Sequence, residues 1–152
     1  LSEVEKLLRE NPHSCLYVTS PDYTGRIADI SALSAICRKY DAKLLVDNAH
    51  GAHLHFFQNS MHPISLGADM CCDSAHKTLP ALTGAAYLHV SPGLETDARR
   101  VKAALALFGS TSPSYLIMQS LDRANAYLED HPRRLAQFLP HASVRCSLSK
   151  SH

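Results

Sequence analysis

Leu44-Leu45-Val46 is an unbroken apolar run that stops on Asp47. A strand without polar alternation has to be covered on both faces, as in the parallel sheet of an α/β domain. Leu66 to Cys72 repeats the pattern with small and apolar residues and closes on Asp73. Ser14 to Thr19 reads as a further strand. Between it and Leu44, Ile30, Leu33, Ile36 and Cys37 fall at helical spacing behind Asp29, a good helix cap. The order β-α-β-α-β predicts a mostly parallel sheet with flanking helices, an α/β fold. A last strand over Ala85–Val90 follows too soon for a parallel crossover, so it is expected to run antiparallel.

Chemistry collects at the ends of these strands. Asp73-Ser74-Ala75-His76-Lys77-Thr78-Leu79-Pro80 puts a lysine between a hydroxyl and an imidazole, with Pro80 and Gly84 breaking a loop behind it. Ligands of open α/β sheets bind at such strand ends. A lone lysine is usually a solvated surface group. Partly desolvated, it loses its proton near neutral pH and attacks a carbonyl. Asp47 stands thirty residues upstream, one strand-crossover-strand unit away, and should face the same crevice. A Schiff-base lysine and an acid for a pyridinium nitrogen are what pyridoxal phosphate needs from a protein.

Four segments carry a resemblance: Tyr17 to Ile30, Leu44 to Leu54, Gly67 to Val90 and Phe108 to Leu128. In order and spacing the chain resembles the large domain of the Orn/Lys/Arg decarboxylases, pyridoxal-phosphate enzymes of the aspartate-aminotransferase fold. Asn48 stands where an acidic residue is commoner, and Asp22 where a hydroxyl is commoner. The resemblance implies decarboxylation of ornithine, lysine or arginine through a Lys77 Schiff base. Asp47 would hold the ring nitrogen's proton, His50 would lie beside it, and Ala49 would leave room for the flat ring. Ser74, His76 and Thr19 would line the cofactor. Ser110, Thr111 and Ser112 would reach a partner's phosphate across a dimer. Read locally, Thr19 belongs to plain turn chemistry and Ser110–Ser112 to an ordinary helix cap.

The remaining segments bound these expectations. Ser2-x-x-Glu5 predicts a capping box on a first helix that stops before Pro12. A short helix is expected near Pro63–Leu66, with longer ones over Glu95–Phe108, Pro113–Glu129 and Pro132–Leu139. Residues 1–141 would form a partial large domain and 142–152 an irregular tail. A net charge of +1 with interspersed signs points to neither nucleic acid nor an anionic membrane. No apolar run reaches a membrane span, and five cysteines without a C-x-x-C fit a reducing cytoplasm. Asp47, His50, His53 and His55 offer a competing reading, a metal-dependent hydrolase. Their spacing fits no helical zinc motif, and no metal is expected.

The six glycines form no Gly-rich phosphate loop. The resemblance places that cradle, and the residue stacked on the ring, upstream of Leu1, with a small domain beyond the other end. The chain is therefore expected to be part of a large domain, with an open sheet edge that favours self-association. By itself it is expected to bind the cofactor weakly and to be a non-catalytic remnant.

Overall fold

The computed structural model describes residues 1–94, 98–131 and 134. Its order is α1 (Ser2–Glu10), β1 (Cys15–Thr19), α2 (Ile30–Lys39), β2 (Lys43–Asp47), a 3-10 helix (Ala52–Phe56), β3 (Met70–Asp73), a one-turn helix α3 (Ala75–Thr78), β4 (Tyr87–Val90), α4 (Ala98–Phe108) and α5 (Tyr115–Asp130). The strands form one sheet in the order β1-β2-β3-β4. β1, β2 and β3 are parallel, with Val18 beside Val46 and Val46 beside Cys71. β4 runs antiparallel to β3, pairing Asp73 with Tyr87. The expected α/β architecture and the reversed last strand are both present.

The core lies on one face of the sheet. Leu44, Val46 and Cys71 pack there against Leu8 of α1 and Ile30, Leu33 and Cys37 of α2. Removing side chains such as Leu44 and Val46 from water stabilises the fold by about 1.5–3 kcal/mol each. Asp29 caps α2 as expected, its Oδ1 accepting the Ala32 N–H at 2.9 Å. The opposite face, formed by Tyr17, Leu45, Met70, Cys72 and Leu88, is not covered in the same way. Tyr17 is 62% exposed and Leu88 37%, and an open groove separates Met70 and Leu88 from Val101, Ala104 and Leu105 of α4. The expectation of strands buried on both faces therefore holds for one face only, because no helix of the described residues lies over Tyr17.

Several local expectations give way to specific contacts. Ser2 does not cap α1. Leu1 occupies the cap position, and the Glu5 carboxylate instead accepts Lys39 Nζ at 2.7 Å, tying α1 to α2. Pro63–Leu66 forms turns, not a helix, ending at Gly67, whose φ of +99° only glycine adopts freely. A Cβ there would also press on the Ser34 hydroxyl. Ala52–Phe56, expected as loop, winds into the 3-10 helix. Pro113 precedes the start of α5. Ser114 is the cap, its Oγ accepting the Ile117 N–H at 3.4 Å. The helix expected from Glu95 is described from Ala98, whereas the Pro132–Leu139 helix and the 142–152 tail lie outside the described residues.

Candidate active site

The parallel register brings Thr19, Asp47 and Cys72 side by side at the carboxyl ends of β1, β2 and β3. Just beyond β3 the chain turns into α3, closed by the Lys77 N–H on the Ser74 carbonyl at 3.0 Å. Lys77 therefore sits on one turn of helix, where a loop was expected. Beyond β2 the chain turns at Asn48–Gly51, the Gly51 N–H donating to the Asn48 carbonyl at 2.8 Å. A Cβ on Gly51 would strike the Asn48 side chain and Pro21. Glycine at 51 thus permits the tight turn that aims His50 at Lys77.

The two side chains meet. Lys77 Nζ lies 3.2 Å from His50 Nε2. The other ring nitrogen of His50 is buried without a partner, as is the hydroxyl of Thr78. Tyr23 stands edge-on to the His50 ring at 4.8 Å between centroids. Asp47 is half-buried, and its carboxylate accepts the Ala49 N–H at 3.1 Å and the Tyr17 hydroxyl at 3.3 Å. Burial, reinforced by the Asp47 charge, pushes the Tyr17 hydroxyl and the Cys72 thiol up from their ordinary values.

The other candidates divide. Ala49 and Ser74 are half-buried on the turns beside Asp47 and Lys77. His76 is also half-buried, and its Nδ1 donates to the Ala85 carbonyl at 2.9 Å, so one ring nitrogen is committed to holding the turn before β4. Thr19 is exposed. Ser110, Thr111 and Ser112 are exposed between α4 and α5, where the Ser112 N–H donates to Ser110 Oγ at 3.1 Å. Lys77 is exposed as well, in contrast to the expected partial desolvation.

Two participants were not anticipated. Tyr17 shares the strand parity of Thr19 and Asp47, so alternation along β1 could have found it. Tyr23 carries no local signal. The competing histidine cluster does not form. Among the described residues, the metal-ligating group with atoms within 4.8 Å of one another is His62, Cys71 and Asp73, not Asp47, His50, His53 and His55. Nor is any described helix long and apolar enough to cross a membrane.

Residues 2–143 match the family described as Orn/Lys/Arg decarboxylase, major domain. The chain is 43% identical over 117 residues to the uncharacterized protein YaaO of Bacillus subtilis, covering 75% of this chain and 24% of that protein. It is 36% identical over 137 residues to an arginine decarboxylase of Halalkalibacterium halodurans, covering 89% of this chain and 28% of that enzyme. The chain thus spans about a quarter of the length of these relatives. Among solved structures, it resembles pyridoxamine-pyruvate aminotransferase from Mesorhizobium loti with a TM-score of 0.64 at 21% identity, covering 90% of this chain and 38% of that one. That likeness speaks to the fold.

Proposed function

The chain belongs to the Orn/Lys/Arg decarboxylase family, and on that premise we propose that it supplies Lys77, Asp47 and His50 to the pyridoxal-phosphate-dependent decarboxylation of a basic amino acid. The observation that carries the proposal is the 3.2 Å approach of Lys77 Nζ to His50 Nε2 off the ends of neighbouring strands. At that distance Nζ and Nε2 are within hydrogen-bond reach, so His50 orients the Lys77 amine, the group that would bond a carbonyl carbon of the cofactor with loss of water.

The residues present fit the ring end of the cofactor. The Asp47 carboxylate is fixed by Tyr17 and the Ala49 amide at the strand end, where it would hold the proton on a pyridine nitrogen. Ala49 adds only a methyl group beside it. The unpartnered His50 Nδ1 and Thr78 hydroxyl are polar atoms whose burial without a partner is costly, and a polar ligand would relieve that cost. When bound, pyridoxal phosphate supplies the electron sink for breaking a bond at the amino acid's α-carbon.

For the phosphate, Ser74 and the remaining ring nitrogen of His76 are the candidates on the lysine's own turn, and Thr19 lies farther along the sheet end. Ser110, Thr111 and Ser112 would serve a second copy in a homodimer, which fits their exposure. The name arginine decarboxylase, borne by several relatives, favours arginine over ornithine or lysine as substrate. Cys15, Cys37, Cys71 and Cys72 are all free thiols, which fits a reducing cytoplasm.

A second reading applies to the 152 residues by themselves. The exposed Lys77 and uncovered sheet face favour weak cofactor binding without turnover. Carbon dioxide release from arginine, lysine and ornithine tests both readings. A full-length protein carrying this segment should release it and lose the activity in Lys77→Ala, while the 152-residue chain should release none. Activity that survives Lys77→Ala would overturn the assignment.

A further inference from the structure

On the face of β3 opposite Cys72 and Asp47, a second group of chemically active side chains converges. Asp73 is buried, and its Oδ2 accepts His62 Nε2 at 3.0 Å and His89 Nε2 at 3.1 Å. Cys71, two residues earlier on the same face of β3, places its sulfur 3.7 Å from His62 Nε2. One nitrogen, one sulfur and one oxygen from His62, Cys71 and Asp73 lie within 4.8 Å of one another, and all three residues are buried. We propose that these three side chains form a structural site for a divalent cation of the zinc class.

The spacing suits the ion. Zinc bonds of about 2.0–2.3 Å in a tetrahedron set ligand atoms about 3.3–3.8 Å apart, so the observed 3.0 and 3.7 Å need only small adjustments. The mixed donors suit it too, because a thiolate beside an imidazole selects zinc over magnesium or calcium. His89 is 39% exposed at its side chain and lines, with His55 and Tyr87, a cavity of about 630 Å³ that opens onto the group. Its Nε2, 3.1 Å from Asp73 Oδ2, is the candidate fourth ligand. The site would pin the 57–69 connection, which carries His62, against β3. That clamp lies one residue before Ser74 and the helix bearing Lys77.

Binding is balanced by one proton. Cys71 gives its S–H proton to solvent and bonds the cation as thiolate. His62 binds through an unprotonated Nε2, and Asp73 binds as a carboxylate. Because the thiol gives up a proton on binding, cation affinity weakens as pH falls.

Titrating the chelator-treated, desalted 152-residue chain with Co2+ tests the site independently of any decarboxylase activity. The expected result is uptake of one equivalent with a thiolate-to-cobalt charge-transfer band, displaced by Zn2+. The band should vanish in Cys71→Ser and in His62→Gln and persist in Cys15→Ser. His62→Gln decides the matter if Cys71→Ser does not fold, as judged by circular dichroism. No uptake, uptake without a sulfur band, or a band that survives His62→Gln would overturn the proposal.

Discussion

Asn48 Nδ2 donates to Asp73 Oδ1 at 2.6 Å in the core, joining the carboxyl end of β2 to that of β3. Both side chains are almost wholly removed from solvent. The contact accounts for the amide at position 48. A second carboxylate so close to Asp73 would place two like charges together in a dry interior.

Asn48→Asp should therefore destabilise the chain by on the order of 3 kcal/mol, the scale of a buried charge left without compensation. Urea unfolding monitored by circular dichroism would measure it. A midpoint unchanged from wild type would show that the contact does not hold the two strand ends.

The same carboxylate sets an acid limit on stability. Burial works against the charge on Asp73, but hydrogen bonds from His62, His89 and Asn48 outweigh it and hold the carboxyl well below the usual carboxylate range. A depressed folded value means that the stabilisation is complete above the unfolded pKa and is lost as pH falls toward the folded one. Stability should thus decline below about pH 4. Asp73→Asn should be less stable at neutral pH and show a shallower decline in acid. Parallel acid slopes for the two proteins would contradict this.

Thiol reactivity maps both faces of β3. Cys15 and Cys72 are exposed, whereas Cys37 and Cys71 are buried. Alkylation followed by peptide mapping should label the first pair before the second, faster as pH rises, since burial raises all four thiols. Cys72 Sγ lies 3.9 Å from Asp47 Oδ1, so pyridoxal phosphate should slow labelling of Cys72 and leave Cys15 unaffected. Equal protection of both would place the cofactor elsewhere.

Asp47→Asn keeps the shape of the strand end and removes its charge. In a full-length protein carrying this segment, decarboxylation should fall by about a hundredfold or more, the usual scale for a lost proton-holding group. Cofactor affinity should change less. Near-normal turnover would remove Asp47 from the site.

The strands were legible because apolar runs such as Leu44–Val46 have few alternatives, and the reversal of β4 was legible because its connection is too short for a crossover. Two strand-end motifs on neighbouring parallel strands made a shared crevice for Asp47 and Lys77 the expectation, but the 3.2 Å approach of Lys77 Nζ to His50 Nε2 was not legible. His62 was not legible, because no periodicity links it to Asp73, eleven residues on. Its place depends on how the turns at 63–67 close against Ser34, whose hydroxyl donates to the Gly67 carbonyl at 2.8 Å. The Ser2 cap failed because the Glu5 carboxylate found a stronger partner in Lys39. Exposure of Tyr17 and Lys77 was not legible either, since it depends on what packs over the sheet and not on the strands themselves.

The central claim is that Lys77 is the residue that carries the cofactor. Incubation of the chain, at high cofactor concentration, with pyridoxal phosphate followed by borohydride reduction and peptide mass mapping tests it most directly. The expected result is a pyridoxyl group fixed on Lys77 and no such product in Lys77→Ala. A label on Lys6, Lys39, Lys43 or Lys102 with Lys77 unmodified would contradict the account.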